Sequence, residues 1–247
     1  TDVEQIGREK AGVFRAGSLA VVSDPHMTPS VAAEAARIGA RALQAGSNYS
    51  WRVDDADGSW SYEGAIRIDG LQRPALAGAR QYANAAAAIA TLSGMGLALD
   101  RKAINPALRS LQLPGRFQVV PGPVEWILDV AHNEPAAEVL AENLRQRRCD
   151  GRTLLVTAIL ADKDIAAIAP VLAGVADRVF LCGIAAPRGL TAAQLAARAP
   201  HFAAVGQCED ITAGMAAAAA EARPGDRIVV CGSFLAVAPA LELLGLY

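Results

Sequence analysis

At the centre of the sequence stands Ile127-Leu128-Asp129-Val130-Ala131-His132-Asn133, where an apolar strand gives way to polar residues. The run 124–128 is apolar with one exception, which is typical of a strand buried on both faces. Residues 135–147 carry apolar side chains at i, i+4 spacing and predict a helix, with the last residue of the stretch as its N-cap. Asp129 and His132 therefore lie where a parallel strand meets a helix N-terminus, the usual position of ligand groups in an open α/β sheet.

Strand and helix patterns alternate from this stretch to the end of the chain. Such alternation predicts an α/β fold with a doubly wound, largely parallel sheet and right-handed crossover connections. The expected strands are 153–159, 178–182, 202–205 and 227–231. The expected helices are 164–173, 191–197, 211–222 and 235–244.

The first half of the chain has a less regular pattern. We expect a strand at 19–22, an alanine-rich helix over 29–44, a helix over 85–92 and a short helix that starts at Asn105.

An alternating segment, 49–69, is interrupted by Asp57-Gly58 and predicts a β-hairpin with an Asp-Gly turn. Its aromatic residues could form a base-stacking platform, but basic residues are too few nearby, so we expect cross-strand packing. These aromatic residues are Trp51, Trp60 and Tyr62.

The Pro-Gly pair in Leu113-Pro114-Gly115-Arg116-Phe117 indicates a linker. We therefore divide the chain into a first domain, residues 1–112, and a second domain, residues 113–247. Arg116 has two interpretations: an exposed linker charge, or a phosphate ligand that reaches into the cleft between the domains. Its position alone favours the exposed charge.

Composition and charge argue against several classes of function. The 247 residues carry a formal net charge of -2 with acidic and basic residues interspersed, whereas a nucleic-acid surface needs a cluster of basic residues. No apolar run reaches the length of a membrane span.

The four cysteines form no metal-binding pattern, and Cys182 and Cys231 fall in expected strands, as buried free thiols do. We therefore expect a cytoplasmic protein without nucleic-acid or membrane partners.

The sequence begins in mid-pattern with Thr1 instead of Met, so we expect a fragment of a longer protein.

No dinucleotide-binding Gly-x-Gly-x-x-Gly follows a strand, and no phosphate-cradling Gly-x-x-x-x-Gly-Lys-Ser/Thr occurs. Two loops lie at the expected ligand edge, Asp162-Lys163-Asp164 and Gly232-Ser233-Phe234. Ser233 either caps the final helix or helps to receive an anion at its N-terminus, and Lys163 is either a solvated charge or an anion ligand at a helix N-terminus. Nucleotide chemistry would therefore need sequence outside these residues.

Lys10 is the first residue with possible chemistry. In most proteins a lysine side chain lies at the surface, where water solvates its charge. The flanking apolar residues Ile6, Val13 and Phe14 favour a second interpretation, in which Lys10 is held against the core. A desolvated lysine has a lowered pKa and a neutral amine that can react with carbon dioxide.

Taken together, these stretches resemble the bifunctional dihydrofolate synthase and folylpolyglutamate synthase family, a branch of the Mur ligase superfamily. The similarity covers essentially the whole chain, and the ordered set of stretches is far more specific than any one of them. The stretches are 6–15, Gln81 with Asn84-Ala85-Ala86, 113–118, 128–133 and 232–234, with further likeness at 162–165 and 187–189.

The resemblance implies that residues 1–112 are the end of the central ATPase domain and that residues 113–247 are the Rossmann-like C-terminal domain. It implies a ligase of folate and tetrahydrofolate biosynthesis, and so of one-carbon metabolism, which uses ATP and Mg²⁺. ATP converts a carboxylate to an acyl phosphate, and the amine of L-glutamate displaces the phosphate to form an amide. The implied substrates are dihydropteroate, tetrahydrofolate and its polyglutamates, and the implied state is a monomer.

Residue by residue, the resemblance implies that Lys10 becomes a carbamate and helps to hold Mg²⁺, which prefers oxygen ligands. It implies that Asn84, Arg116 and Asp129 contact ATP, with Arg116 reaching toward the phosphates. His132 is similar to a residue beside the glutamate and the acyl phosphate. The implied catalytic set is therefore Lys10, Asp129 and His132.

The chain also departs from the family pattern. The phosphate-binding loop, the other magnesium ligands and most of the pterin site of the family lie upstream of Thr1, so the chain alone is not expected to turn over ATP. Glu134 stands between Asn133 and Pro135, whereas family members often have Pro directly after the Asn.

Two other functions stay open. One is a different Mur-type ligase that acts on a peptidoglycan or polyglutamate precursor. The other is a non-catalytic module that keeps the fold, which the missing phosphate-binding loop favours. The joint presence of Lys10, Arg116, Asp129 and His132 argues against the module.

Overall fold

A computed structural model of the chain describes residues 2–202 and 205–246. The chain folds as two compact units: Thr1–Ala75 with Ala79–Leu111, and Leu76–Gly78 with Gln112–Tyr247. Apart from the short segment Leu76–Gly78, the chain passes from the first unit to the second between Leu111 and Gln112. The identity of the first unit as the end of a central ATPase domain stays a prediction.

The first unit combines helices with two small sheets. Its helices are α1 (Val3–Ala11), α2 (Pro29–Ile38), α3 (Arg80–Gly94) and α4 (Arg101–Ser110). Its strands are β1 (Leu19–Val22), β2 (Arg41–Gln44), β3 (Ser50–Val53), β4 (Trp60–Glu63) and β5 (Arg67–Leu71). β1 and β2 form a parallel pair, and β3, β4 and β5 form an antiparallel sheet.

Two helix predictions in the first unit are wrong in extent. The helix expected over 29–44 ends at Ile38, because Gly39 adopts a left-handed conformation (φ 74°) that closes the helix and lets β2 follow. The helix expected to start at Asn105 begins one turn earlier, where the side chain of Asp100 accepts a hydrogen bond from Ala103 N. Pro106 consequently lies inside α4 and does not start it.

The hairpin prediction is confirmed and extended by a third strand. Gly58 takes the positive φ (72°) that the turn before β4 requires. Trp51 and Tyr62 are register partners on β3 and β4, and Trp60 is buried with its indole N–H donating to Gln72 O. The aromatic residues therefore form part of the core, as expected.

The second unit is a three-layer α/β/α fold. Its strands are β6 (Gln118–Val120), β7 (Glu125–Asp129), β8 (Thr153–Thr157), β9 (Arg178–Cys182), β10 (Val205–Cys208) and β11 (Arg227–Cys231). Its helices are α5 (Glu134–Gln146), α6 (Ile165–Ala173), α7 (Ala192–Arg198), α8 (Ile211–Glu221) and α9 (Phe234–Leu243).

The strands of this unit form one sheet in the order β10-β9-β8-β11-β7-β6, parallel except for β6. Successive residues of a strand point to opposite faces, so Ile127 packs with α5, α6 and α7 while Leu128 packs with α8 and α9. Both faces are covered, which explains the continuous apolar runs of the central strands.

Two features of the sheet differ from the sequence prediction. The short antiparallel strand β6 at the sheet edge was not predicted. The strand expected at 202–205 is observed at Val205–Cys208, and Ala203 and Ala204 lie outside the described residues.

In the described part of the chain, no helix combines the length and the apolar character needed to cross a membrane.

Candidate functional site

The carboxyl ends of β7 and β11 form the centre of the candidate site. Asp129 and Cys231, the last residues of these two neighbouring strands, are register partners. The chain leaves β7 toward α5 on one face of the sheet and leaves β11 toward α9 on the other face. Loops that diverge in this way open a crevice, the usual ligand position in a doubly wound sheet.

The carboxylate of Asp129 ties two loops of this crevice together. Its Oδ2 accepts a hydrogen bond from Phe117 N (2.8 Å), and its Oδ1 accepts one from Ala131 N (2.8 Å). Burial raises the pKa of Asp129, against the two backbone N–H groups and the positive charge of Arg116, which act to lower it. Asp129 therefore organises the backbone around the site.

The loop before β6 has a backbone that few residues could adopt. Gly115 has φ 67°, and a Cβ there would lie 3.0 Å from methyl groups of Val130 and Val237. Phe117, which is buried, has φ 46°, an uncommon value for a residue with a side chain. The carbonyl of Gly115 accepts from Val130 N (2.8 Å), so the loop is fixed to the end of β7.

Arg116, which lies between Gly115 and Phe117, has an exposed side chain. Its guanidinium carbon Cζ lies 5.6 Å from the centroid of the Phe234 ring, the first residue of α9. The structure thus supports the first interpretation of Arg116, an exposed charge, and also places that charge at the crevice.

His132 follows β7 at the same edge of the sheet. Its Nδ1 lies 2.9 Å from Val130 O. Because a carbonyl oxygen only accepts, Nδ1 is the donor and the neutral ring carries its lone pair on Nε2. The next residue, Asn133, caps α5 by accepting from Ala136 N, as predicted. The structure therefore brings Arg116, Asp129 and His132 together in one unit.

Two further loops follow strands at this edge. Ser233 caps α9, its Oγ accepting from Ala236 N (3.1 Å). Asp164 caps α6 through Ala167 N, and Asp162 pairs with Arg188 (2.9 Å) and Lys163 (3.5 Å). The capping interpretation of Ser233 is confirmed, whereas Lys163 pairs with Asp162. A capped helix N-terminus does not by itself indicate an anion.

Lys10 and Asn84 lie in the first unit, on α1 and α3. Lys10 is exposed, so the expectation that the flanking apolar residues hold it against the core is wrong, because Ile6 and Val13 are themselves exposed. Asn84 is exposed in the second turn of α3, and its amide donates to Gln81 Oε1 (3.1 Å). It is an early helix residue and not an N-cap.

The described residues contain no group of three or more His, Cys, Asp or Glu side chains that could hold a metal ion. A carbamate on Lys10 would add one group of oxygen ligands, fewer than the octahedral shell of Mg²⁺ demands. By itself, such a carbamate would therefore supply only part of a magnesium site.

Residues 115–234 match the family model of the Mur ligase, glutamate ligase domain. The dihydrofolate synthase/folylpolyglutamate synthase of Escherichia coli (strain K12) is 36% identical over 244 residues, which are 98% of this chain and 56% of that protein. The chain belongs to this family of Mur ligases. The resemblance drawn from the ordered stretches is thereby confirmed.

Solved structures of similar proteins agree with this assignment. Escherichia coli FolC in complex with DHPP and ADP has a TM-score of 0.88 at 36% identity, covering 100% of this chain and 57% of that one. A bifunctional folylpolyglutamate synthase/dihydrofolate synthase with Mn, AMPPNP and L-glutamate bound has a TM-score of 0.88 at 37% identity, covering 99% and 58%. The α/β fold class is confirmed, and the chain spans little more than half the length of these relatives.

Sequence reasoning on this Mur ligase chain missed two features of the site. One is the positive φ of Phe117, which has no signal in the sequence. The other is the contact of Phe234 with Arg116. Its only signal in the sequence is an aromatic residue that follows Gly232-Ser233 at the expected start of a helix.

Proposed function

We propose that this chain is the C-terminal part of an ATP-dependent amide ligase that adds L-glutamate to dihydropteroate and to folates. ATP transfers its terminal phosphoryl group to the substrate carboxylate, giving an acyl phosphate and ADP. The glutamate amine then forms a C–N bond to the acyl carbon, the C–O bond to phosphate breaks, and the amine loses a proton. Mg²⁺, when bound, neutralises charge between the two anions that must meet.

The observation that carries the proposal is the set Arg116, Asp129 and His132 at the crevice between β7 and β11. The guanidinium of Arg116 is exposed and always positively charged. Two of its N–H groups can donate hydrogen bonds to two phosphate oxygens at the same time. Asp129 fixes the loop that carries Arg116. His132 presents Nε2, which can accept a hydrogen bond from the glutamate amine.

Lys10 and Asn84 belong to the same proposal in the first unit. Lys10 is exposed in this chain, and as a carbamate it would supply oxygen ligands for Mg²⁺. Asn84 would contact ATP. The domain assignment is part of the proposal as well: residues 1–112 as the end of the central ATPase domain and residues 113–247 as the C-terminal domain.

The proposed partners are L-glutamate, dihydropteroate, tetrahydrofolate and its polyglutamates, with ATP and Mg²⁺ as cofactors. We propose a cytoplasmic monomer without nucleic-acid or membrane partners. Several relatives are named dihydrofolate synthase/folylpolyglutamate synthase, which supports the substrate class.

The test is a chimera in which this chain replaces the matching 56% of the Escherichia coli synthase. ADP release is measured with dihydropteroate and L-glutamate together and with each omitted. We expect ADP release only with both substrates, and a fall of at least about tenfold in Arg116→Ala and Arg116→Lys, because a lysine cannot replace a bidentate fork. A folded chimera that is inactive with these substrates but active with a nucleotide-linked muramyl precursor would favour the other Mur-type ligase. No activity with either would favour the non-catalytic module.

A further inference from the structure

The guanidinium of Arg116 faces an aromatic ring. Its Cζ lies 5.6 Å from the centroid of the Phe234 ring, within the range of a cation–π contact. Phe234 is 61% exposed, so burial of apolar surface explains little of its presence at this position.

Both partners of this contact are fixed by backbone geometry. On the Phe234 side, Gly232 (φ 122°) leaves no room for a side chain against Ala158 O, and Ser233 caps the helix that Phe234 begins. On the Arg116 side, Asp129 holds the N–H of Phe117.

The two sides also contact each other directly. The Cα of Gly115 approaches α9 so closely that a Cβ there would lie 3.0 Å from Cγ1 of Val237. Val237 is one turn after Phe234 on the same helix and is fully buried. Arg116 and Phe234 therefore stand on one packed piece of the second unit.

An aromatic ring offers no charged oxygen acceptor to the N–H donors of the guanidinium. In the described part of the chain, no carboxylate lies within 4.0 Å of the Arg116 nitrogen atoms. A planar guanidinium can stack on an aromatic face while its N–H donors point outward in its own plane. An Asp or Glu partner would instead occupy those donors.

We propose that Phe234 is a positioning residue that orders the Arg116 guanidinium and leaves its N–H fork free for a phosphate. This inference rests on the proposed function, in which Arg116 meets the ATP phosphates. Ordering a long side chain before the ligand arrives removes part of the entropy cost of binding.

The first test uses NMR of this chain and needs no nucleotide. The side-chain Nε–Hε signal of Arg116 is identified from its loss in Arg116→Lys, and its heteronuclear NOE reports fast motion. We expect a high NOE in the unmodified chain and in Phe234→Tyr, a clearly lower one in Phe234→Leu, and no change in Leu235→Ala, a matched control that truncates the next exposed apolar residue. An equally high NOE in Phe234→Leu overturns the proposal.

The second test measures kcat and KM for ATP in the chimera. Phe234→Leu is expected to lower kcat/KM by about two- to fivefold, which corresponds to the free energy of an exposed cation–π contact. Phe234→Tyr, which keeps an aromatic ring, is expected to leave kcat/KM unchanged. In an Arg116→Ala background, Phe234→Leu is expected to have no further effect.

The outcomes of the two proposals are separable. If Arg116→Ala keeps full activity, the site assigned under the proposed function fails. If Arg116→Ala loses activity but Phe234→Leu does not, only the positioning role fails. An equal effect of Phe234→Leu with and without Arg116 also overturns that role, because it shows a general structural effect. If the chimera is inactive, the NMR comparison alone decides whether the ring orders the guanidinium.

Discussion

The Oδ2 atom of Asp129 accepts a 2.8 Å hydrogen bond from the backbone N–H of Phe117. This bond links the end of β7 to the residue that follows Arg116, and it holds Phe117 in a left-handed conformation. Oδ1 accepts a hydrogen bond from Ala131 N, so both carboxylate oxygens of Asp129 accept from backbone N–H groups. Under the proposed function, any effect of Asp129 on a phosphate at Arg116 would therefore pass through the loop that carries Arg116.

Asp129→Asn is expected to lower the free energy of unfolding by about 1–3 kcal/mol. An asparagine has one acceptor oxygen, and its amide group would face the second backbone N–H. Urea unfolding, followed by amide NMR signals of the second unit, measures the change. The matched control is Asp164→Asn, whose single capping bond an asparagine replaces, so its effect should stay within about 0.5 kcal/mol. Equal stability of Asp129→Asn and the unmodified chain would contradict the bonding described.

The titration of Asp129 gives a second prediction. Burial raises its pKa in the folded chain above the value of about 3.9 for a free aspartate, despite the opposing N–H groups and Arg116. The folded state then binds the proton more tightly than the unfolded state. The contribution of this group to stability is therefore complete below about pH 3.9 and declines as the pH rises through the raised pKa.

The measurement is a ¹³C titration of the Asp129 carboxyl group in the folded chain. We expect a midpoint above that of a free aspartate, and a stability difference between the unmodified chain and Asp129→Asn that shrinks as the pH rises across that midpoint. A midpoint below the free value would show that hydrogen bonds outweigh burial.

The sequence predicted the central strands of the second unit closely. Strands at 178–182 and 227–231 are observed with the same bounds, because both faces are covered and the apolar run has a clear beginning and end. β6 has only three half-buried residues at a sheet edge and carries no such pattern. The helix over 29–44 was overextended because alanines continue past Gly39, and the left-handed turn there outweighs their helix propensity.

The candidate site was predictable only in part. Asp129 and His132 follow from the place where an apolar strand ends, which the sequence shows directly. The bond from Phe117 to Asp129 and the contact of Arg116 with Phe234 depend on loops that tertiary packing brings together, and no local pattern encodes them. The hint that Lys10 is buried failed because flanking apolar residues on a helix need not face the core.

Gly232→Ala is expected to destabilise the second unit strongly. A Cβ at this position would overlap Ala158 O, and φ 122° is strained for any residue with a side chain. The control is Gly245→Ala, with φ 65° and nothing within 4 Å, where only the backbone penalty of about 1–2 kcal/mol applies. Thermal unfolding of both variants should show the larger loss for Gly232→Ala. Equal losses would mean that the Ala158 carbonyl moves away freely.

Arg227→Met tests a buried charge at the opposite edge of the sheet. The guanidinium donates to Thr153 Oγ1 (2.9 Å) and to the carbonyls of Leu144 (2.8 Å) and Arg147 (3.1 Å), at the C-terminal end of α5. Burial lowers the pKa of Arg227, so the bonds must offset a desolvation cost. Methionine has a similar length but leaves these acceptors without a donor.

We expect Arg227→Met to lower the free energy of unfolding by about 2–5 kcal/mol, because α5 loses the group that satisfies its last carbonyls. The matched control is Arg148→Met, where a side chain 89% exposed forms only a surface ion pair with Asp150 and should contribute less than about 1 kcal/mol. Urea unfolding of the two variants measures the difference. A similar small loss in both would mean that water replaces the guanidinium at the end of α5.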